Sequence, residues 1–235
     1  MEIKLDGKLA VATASSKGIG FGVAKILATA GANVILLSRN EENLKKAQGM
    51  IEKDTGRKPK YIVGDLSNRD DLKRVVKETK EIGDPDIFFF STGGPKAGFF
   101  MEKSMEEWEE AVNLLLYPAV FLSKEFLPKM IEKKWGRIVL STSVAIKEPI
   151  PNIALSNVVR ISMAGLVRTL AKEVGEHKVT VNGIMPGIIK TDRMIQLAKD
   201  KAEREGITTE EALDDYAKPI PIGRLGNPEE IGYMV

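Results

Sequence analysis

Short apolar runs alternate along this chain with longer stretches in which apolar residues return every three or four positions. The runs Leu9–Thr13, Asn33–Ser38, Tyr61–Val63, Ile87–Phe90, Ile138–Ser141 and Thr180–Ile184 are rich in β-branched or aromatic residues, which predicts six strands. Between them, Ile19–Ala30, Glu41–Thr55, Arg69–Ile82, Met105–Lys133 and Ile153–Val174 carry the helical period. Strand and helix in strict alternation predict an α/β fold, a doubly wound parallel sheet with helices on both faces. No repeat, low-complexity tract or linker interrupts the pattern, so residues 1–235 read as one domain. Residues 190–222 differ in character: polar, weakly helical, and closed by Pro219 and Pro221. They follow the sixth strand, where open α/β sheets place segments that cover a ligand. After Pro228 another helix begins, and a seventh strand is expected if the chain continues past Val235.

Composition narrows the partners. The 235 residues are 43% hydrophobic, enough for one sizeable core. Lys and Arg number 35 against 33 Asp and Glu, scattered rather than blocked, which gives no electrostatic case for nucleic acid or a membrane surface. The N-terminal residues lack the pattern of a signal peptide. The longest apolar stretch, 111–122, is too short to span a bilayer and is broken by Asn113 and Pro118. A soluble, cytoplasmic protein is therefore expected. The absence of cysteine excludes disulfides and thiolate chemistry, and a single histidine, His177, leaves no ordinary zinc site. A charge-rich, cysteine-free composition is compatible with a thermophilic source.

Candidate chemistry starts after the first strand. Thr13-Ala14-Ser15-Ser16-Lys17-Gly18-Ile19-Gly20 leads from strand to helix. Glycines there let the backbone approach a pyrophosphate, and the helix offers free N–H groups and the positive end of its dipole. Tight strand-to-helix turns also need glycine for geometry alone. At the end of the second strand stands Ser38-Arg39, where a carboxylate would indicate NAD. Arg39 and Lys17 facing the adenosine ribose would suit a 2′-phosphate, so NADP(H) is preferred and NAD(H) remains possible; the alternative is two solvated surface cations. Asp65, in Val63-Gly64-Asp65-Leu66, would lie near the adenine or serve a helix N-terminus.

With these pieces the chain resembles a classical-size short-chain dehydrogenase/reductase over residues 5–235. The glycine turn is Thr13–Gly20, and Ala14 stands at its first glycine. The family's segment after strand four appears as Phe90-Ser91-Thr92-Gly93. Its active-site helix asparagine matches Asn113, and Gly136–Ser143 matches the fifth strand with the catalytic serine at Ser143. Pro186-Gly187, Ile189 and Thr191 match the nicotinamide-side loop, and Gly223–Ile231 the segment before the last helix. The resemblance implies a Rossmann-type sheet in the order 3-2-1-4-5-6. It implies cofactor contacts from Thr13, Ala14, Ser16, Lys17, Gly18, Ile19, Gly20, Arg39, Asp65, Leu66, Ser91, Gly93, Arg160, Pro186, Gly187, Ile189 and Thr191. It also implies a small carbonyl or alcohol substrate, of 3-oxoacyl or sugar type. A homodimer or homotetramer would form through the long helices 105–133 and 153–174, which are apolar around much of their circumference.

The departure is chemical. Where the family carries Tyr-x-x-x-Lys, this chain has Ser156-Asn157-Val158-Val159-Arg160. A tyrosine phenol has a reference pKa of about 10, and a neighbouring lysine lowers it toward working pH. A serine hydroxyl is a far weaker acid, and an arginine stays protonated and cannot relay a proton. The i, i+4 spacing still puts Ser156 and Arg160 on one helix face. Three readings stand: a reductase in which Asn113, Ser143, Ser156 and Arg160 polarise the carbonyl and position a water; a reductase with another proton source, Lys147 or Tyr216; and a cofactor-binding sensor or scaffold without turnover. Tyr117 is expected to pack in a helix interface.

Overall fold

The computed structural model describes residues 3–235. Six strands, β1 (Leu9–Thr13), β2 (Asn33–Ser38), β3 (Lys60–Val63), β4 (Ile87–Phe90), β5 (Gly136–Ser141) and β6 (Val179–Ile184), form one sheet in the order β3-β2-β1-β4-β5-β6. Every pairing is parallel. The inner strands β2, β1, β4 and β5 are buried on both faces, so alternate residues serve two cores. Val11, Ile35, Phe88, Ile138 and Val181 face one side with Leu72 and Val75 of α3 (Arg69–Ile82), Leu122 and Phe126 of α5 (Tyr117–Glu132) and Met163 of α6 (Ala154–Val174). Ala10, Val34, Leu36, Phe89 and Val139 face the other, with Val23 and Leu27 of α1 (Gly18–Thr29) and Leu44 and Ile51 of α2 (Glu41–Thr55). The order reverses between β1 and β4, and that switch point at the carboxyl rim is where such sheets bind ligands.

Two elements differ from the sequence expectation. The stretch 105–133 is two helices, α4 (Met105–Leu115) and α5, broken at Leu116. Pro118 has no N–H for the carbonyl of Leu114, so the helical ladder lapses there. Residues 190–222 are more ordered than their polarity implied. Thr191 caps α7 (Asp192–Glu205), Thr208 forms a capping box with Glu211 at α8 (Thr209–Ala217), and Gly206 ends α7 in the left-handed region. The two helices share a small core of Ala198, Ala202, Ala212 and Tyr216, with the Lys201 ammonium 5.4 Å from the Tyr216 ring centre. A last helix, α9 (Pro228–Gly232), lies on α1 at Gly22, where a Cβ would stand 2.4 Å from the Pro228 carbonyl carbon.

Candidate active site

The glycine turn is built before it is functional. The buried Thr13 hydroxyl donates to the carbonyl of Ser91 at 2.6 Å and accepts the Ser91 N–H at 2.7 Å, pinning the end of β1 to the end of β4. Ser15 does the same toward β2: its hydroxyl donates to Ala12 and accepts the Leu37 N–H. Both side chains are consumed in this bracing, so Thr13 acts through position rather than as an offered hydroxyl. Ala14 lies at φ 48°, in the left-handed region where glycine stands in the family pattern. Gly20 then passes so close that a Cβ would sit 2.4 Å from the Ala14 carbonyl oxygen. The N-termini of α2, α3, α4, α7 and α8 are closed by side chains, but that of α1 is not. The N–H groups of Gly18, Ile19 and Gly20 have no acceptor among the described residues.

Beside this turn a cleft of about 270 Å³ is lined by Ala14, Ser16, Ser38, Arg39, Asp65, Leu66, Ser91, Gly93 and Leu114, among others. The sequence reading brought most of these residues to one groove. Ser16 donates to the Ser38 hydroxyl at 2.9 Å. Arg39, largely exposed, faces the half-buried Asp65 across the cleft at 3.7 Å. Lys17 departs from its expected place: it pairs with Asp192 of α7 at 3.3 Å, so Arg39 alone of the two cations lines the cleft. Asp65 accepts from the backbone and hydroxyl of Ser67, while Asn68 is the residue that caps α3. A larger cavity, about 500 Å³, opens near Leu9, Asn33 and Lys133 at the amino ends of the strands. Size does not choose the site here, since ligands of such sheets sit at the carboxyl ends.

The second half of the site lies beyond β4 and β5, which pair up to Phe90 and Leu140. Ser143 leaves β5 fully extended, and its hydroxyl accepts the Ala145 N–H at 3.1 Å. On α6, Arg160 donates through Nε to the Ser156 hydroxyl at 3.1 Å and through Nη1 to the carbonyls of Ser141 at 3.3 Å and Thr142 at 3.1 Å. Burial, and secondarily the charge of Arg193, push the Arg160 guanidinium below the usual arginine range. Asn113 is not joined to these groups. Trp108, Ala111, Leu114 and Leu115 of α4 meet Leu155 and Val159 of α6, and Asn113 lies off that seam with no side-chain hydrogen bond among the described residues.

The loop after β6 comes back to the glycine turn, with Thr191 beside Gly18. Pro186 and Gly187 leave the strand, and Gly187, like Gly93, has open space where a Cβ would be. Ile189 bridges to Gly226. Thr191 caps α7 through its hydroxyl, at 3.4 Å from the Met194 nitrogen, and its methyl would lie 3.2 Å from a Cβ on Gly18. Of the alternative proton sources, Tyr216 is occupied in packing α7 against α8, whereas Lys147 lines a pocket with Val144, Ile150 and Met185 next to Ser143. Tyr117 lies under the Arg69 guanidinium at 4.2 Å and stacks on Phe121, in the helix interface expected of it. Sequence reasoning missed Ser15 and Arg193. The Ser15 role had no local signal, because the N–H it accepts belongs to Leu37 of β2.

The model of the family described as short chain dehydrogenase matches residues 8–202. The chain belongs to the short-chain dehydrogenase family. It is similar to the 3-oxoacyl-[acyl-carrier-protein] reductase FabG of Aquifex aeolicus, 31% identical over 237 residues, covering 100% of this chain and 91% of the relative. It is also 31% identical to dehydrogenase/reductase SDR family member 4 of Bos taurus, covering 98% of this chain and 80% of that protein. Among solved structures, L-sorbose reductase from Gluconobacter frateurii, complexed with NADPH and L-sorbose, superposes with a TM-score of 0.95 at 29% identity, over 100% of this chain and 90% of that one. A 3-oxoacyl (acyl-carrier-protein) reductase from Agrobacterium tumefaciens with NADP bound gives 0.89 at 26% identity, over 99% and 87%. For this short-chain dehydrogenase, no helix among the described residues is long and apolar enough to cross a membrane.

Proposed function

We propose that this short-chain dehydrogenase is an NADP(H)-dependent oxidoreductase that moves a hydride between nicotinamide and a carbonyl or alcohol, of 3-oxoacyl or sugar type. The observation that carries this is the open N-terminus of α1, with three unpaired N–H groups, on the same sheet rim as Ser143, Ser156 and Arg160. Those N–H groups fit a pyrophosphate. The exposed Arg39–Asp65 pair is weak enough for Arg39 to turn to a 2′-phosphate, while Asp65 could accept from the ribose of NAD(H). The NADPH and NADP in the two solved relatives favour the phosphorylated cofactor.

The bound nicotinamide would supply or take the hydride. The chain's own part is to hold and polarise the carbonyl. Because Arg160 donates into the Ser156 oxygen, that hydroxyl is left to donate its own proton outward, and a cation on its oxygen makes it a stronger donor. Ser143, one residue beyond the carbonyl that Arg160 also holds, supplies a second hydroxyl. The proton itself then comes from a water held by these groups rather than from a phenol. The segment 190–222, with its two mutually packed helices, is the part of the chain that would cover the site. Val112, Val120, Val158 and Ile161 are exposed on α4, α5 and α6, which supports a homodimer or homotetramer through those helices.

A second reading, a cofactor-binding sensor without turnover, is favoured by one observation. Arg160 spends its Nη1 on the Ser141 and Thr142 carbonyls instead of reaching into the groove. NADPH titration followed by turnover against a panel of carbonyls separates the two. Tight binding with turnover that is lost in Ser143→Ala supports the enzyme. Binding without turnover on any carbonyl supports the sensor, and no binding of NADPH or NADH removes both.

A further inference from the structure

The cleft beside the glycine turn has polar walls, with Ser16, Ser38, Arg39 and Asp65 among them. The pocket that begins at Val144, the residue after Ser143, has a different character. Its volume is about 470 Å³, within the range of small-ligand sites. Val144, Pro149, Ile150, Pro151 and Met185 line it, and its charged side chains, Lys147 and Glu148, are both exposed.

The main chain of this wall keeps its donors for itself. The Ala145 N–H donates to the Ser143 hydroxyl at 3.1 Å, and the Ile146 N–H to the Ser143 carbonyl at 3.2 Å. The N–H groups of Lys147 and Glu148 both go to the Val144 carbonyl, at 2.9 and 3.3 Å. Pro149 and Pro151 have no N–H to offer. The Ile150 N–H donates to the Asn157 side-chain oxygen at 3.3 Å, and the Asn157 amide donates back to the Ile150 carbonyl at 2.8 Å. This fastens the wall to α6 one residue after Ser156. From Ala145 to Pro151, no backbone donor is left for a ligand. A sugar placed against such a wall buries hydroxyls whose oxygens find no donor, which is costly. A hydrocarbon chain has no such need and gains with every methylene it buries. Apolar surface is there to be covered, since Val144, Ile150 and Met185 are 42%, 40% and 39% exposed. Gly98 bonds to Asn152 and Ala154 at the end of the wall, and the residues after it, Phe99, Phe100 and Met101, are exposed as well.

We infer that this pocket holds an apolar chain of the substrate, so that the carbonyl compound taken by the site carries an aliphatic substituent and is not a sugar. The inference rests on the oxidoreductase reading for the reacting carbonyl, but not for the preference of the pocket itself. Its position ties the chain to the substrate rather than to the cofactor. Val144 directly follows Ser143, the hydroxyl that would hold the carbonyl, whereas the cofactor's polar cleft is walled by other residues altogether.

The test is a calorimetric titration of 2-butanone, 2-hexanone and 2-octanone, and of L-sorbose as a polyol, into the protein saturated with NADP⁺. With the oxidised cofactor bound no ketone can be reduced, so binding is read alone. Each added methylene is expected to tighten binding about two- to fourfold, and L-sorbose to bind at least tenfold more weakly than 2-octanone. In Ile150→Ser the gain from 2-butanone to 2-octanone should fall at least threefold, while 2-butanone and NADP⁺ bind within twofold of wild type. Met185→Ser, on a separate segment of the wall, should act in the same direction, and Ile150→Leu should keep the gain. Equal binding of the three ketones would overturn the inference. So would tighter binding of L-sorbose than of 2-octanone, or a chain-length gain undiminished in both serine variants. The same ketones are then offered with NADPH. A chain-length gain in binding without NADPH oxidation on any carbonyl would refute the oxidoreductase reading and leave the apolar pocket standing. Turnover with binding indifferent to chain length would do the reverse. If NADP⁺ itself fails to bind, the same titration on the free protein decides the pocket alone.

Discussion

The Nε of Arg160 donates to the Oγ of Ser156 at 3.1 Å, one turn earlier on α6, and this single bond joins the two residues that the resemblance aligns with a Tyr-x-x-x-Lys segment. The pair is one device: the arginine anchors on β5, and the serine is the acceptor that completes its fork. Ser156→Ala leaves the Nε of a partly buried guanidinium without its acceptor, and is expected to cost about 1–2 kcal/mol of stability in urea unfolding. The same variant should lower kcat by tenfold or more if the polarised hydroxyl holds the carbonyl. Ser156→Tyr with Arg160→Lys restores the family pattern. A large gain in turnover is expected if the native site is a weakened version of it, and a loss would mean that the serine–arginine device has a chemistry of its own.

Ala14 holds φ 48° at the turn that faces the cofactor groove. An L-residue in the left-handed region is strained by about 1–2 kcal/mol, and glycine there adds back about 0.4–1 kcal/mol of unfolded-chain entropy. Ala14→Gly is therefore expected to raise stability by about 0.5 kcal/mol, without weakening NADPH binding. Thermal unfolding with and without NADPH checks both parts.

Arg39 alone lines the adenosine cleft as a cation. Arg39→Ala should raise the dissociation constant of NADPH about tenfold, the scale of a charge-assisted hydrogen bond, and leave NADH nearly unchanged. The difference should shrink in 1 M salt, because the site is open to solvent. Fluorescence titration of both nucleotides in low and high salt reads it directly.

Glu230 opens α9 while holding Arg224 at 2.7 Å and accepting the Asn227 N–H at 2.6 Å. The Arg224 hydrogen bonds, and then the Asn227 N–H, bring its carboxyl down to about 2. A carboxyl whose value falls on folding stabilises the native state above its unfolded value of about 4.3, and that contribution disappears as pH drops through the folded value. In urea unfolding, wild type should exceed Glu230→Gln by a constant margin near pH 6. The margin should narrow from pH 4 downward and close near pH 2.

Much of the fold was legible because its signals are local. β1, β2 and β4 run as their apolar runs predict, α2 and α3 match the periodic stretches, and the order of motifs along the chain put the glycine turn and the cofactor groove at one rim. The split of 105–133 was also written locally, in Pro118, although apolar periodicity on both sides hid it. The capping signals at Thr191 and Thr208 likewise marked helices inside a segment whose polarity read as weak.

What the sequence by itself determined is the alternation of elements, the residues available to the site, and a serine hydroxyl at position 156. These follow from period, side-chain chemistry and spacing along one element. Where charges end up was decided only by tertiary structure. Lys17 went to Asp192 instead of the adenosine cleft, Tyr216 went into the packing of α7 and α8, and Arg193 came to lie against Gly94. Each of these side chains is long and its partners lie on other elements. Its position is therefore set by which strand ends and helix starts the sheet brings together, and no local pattern along the chain records that.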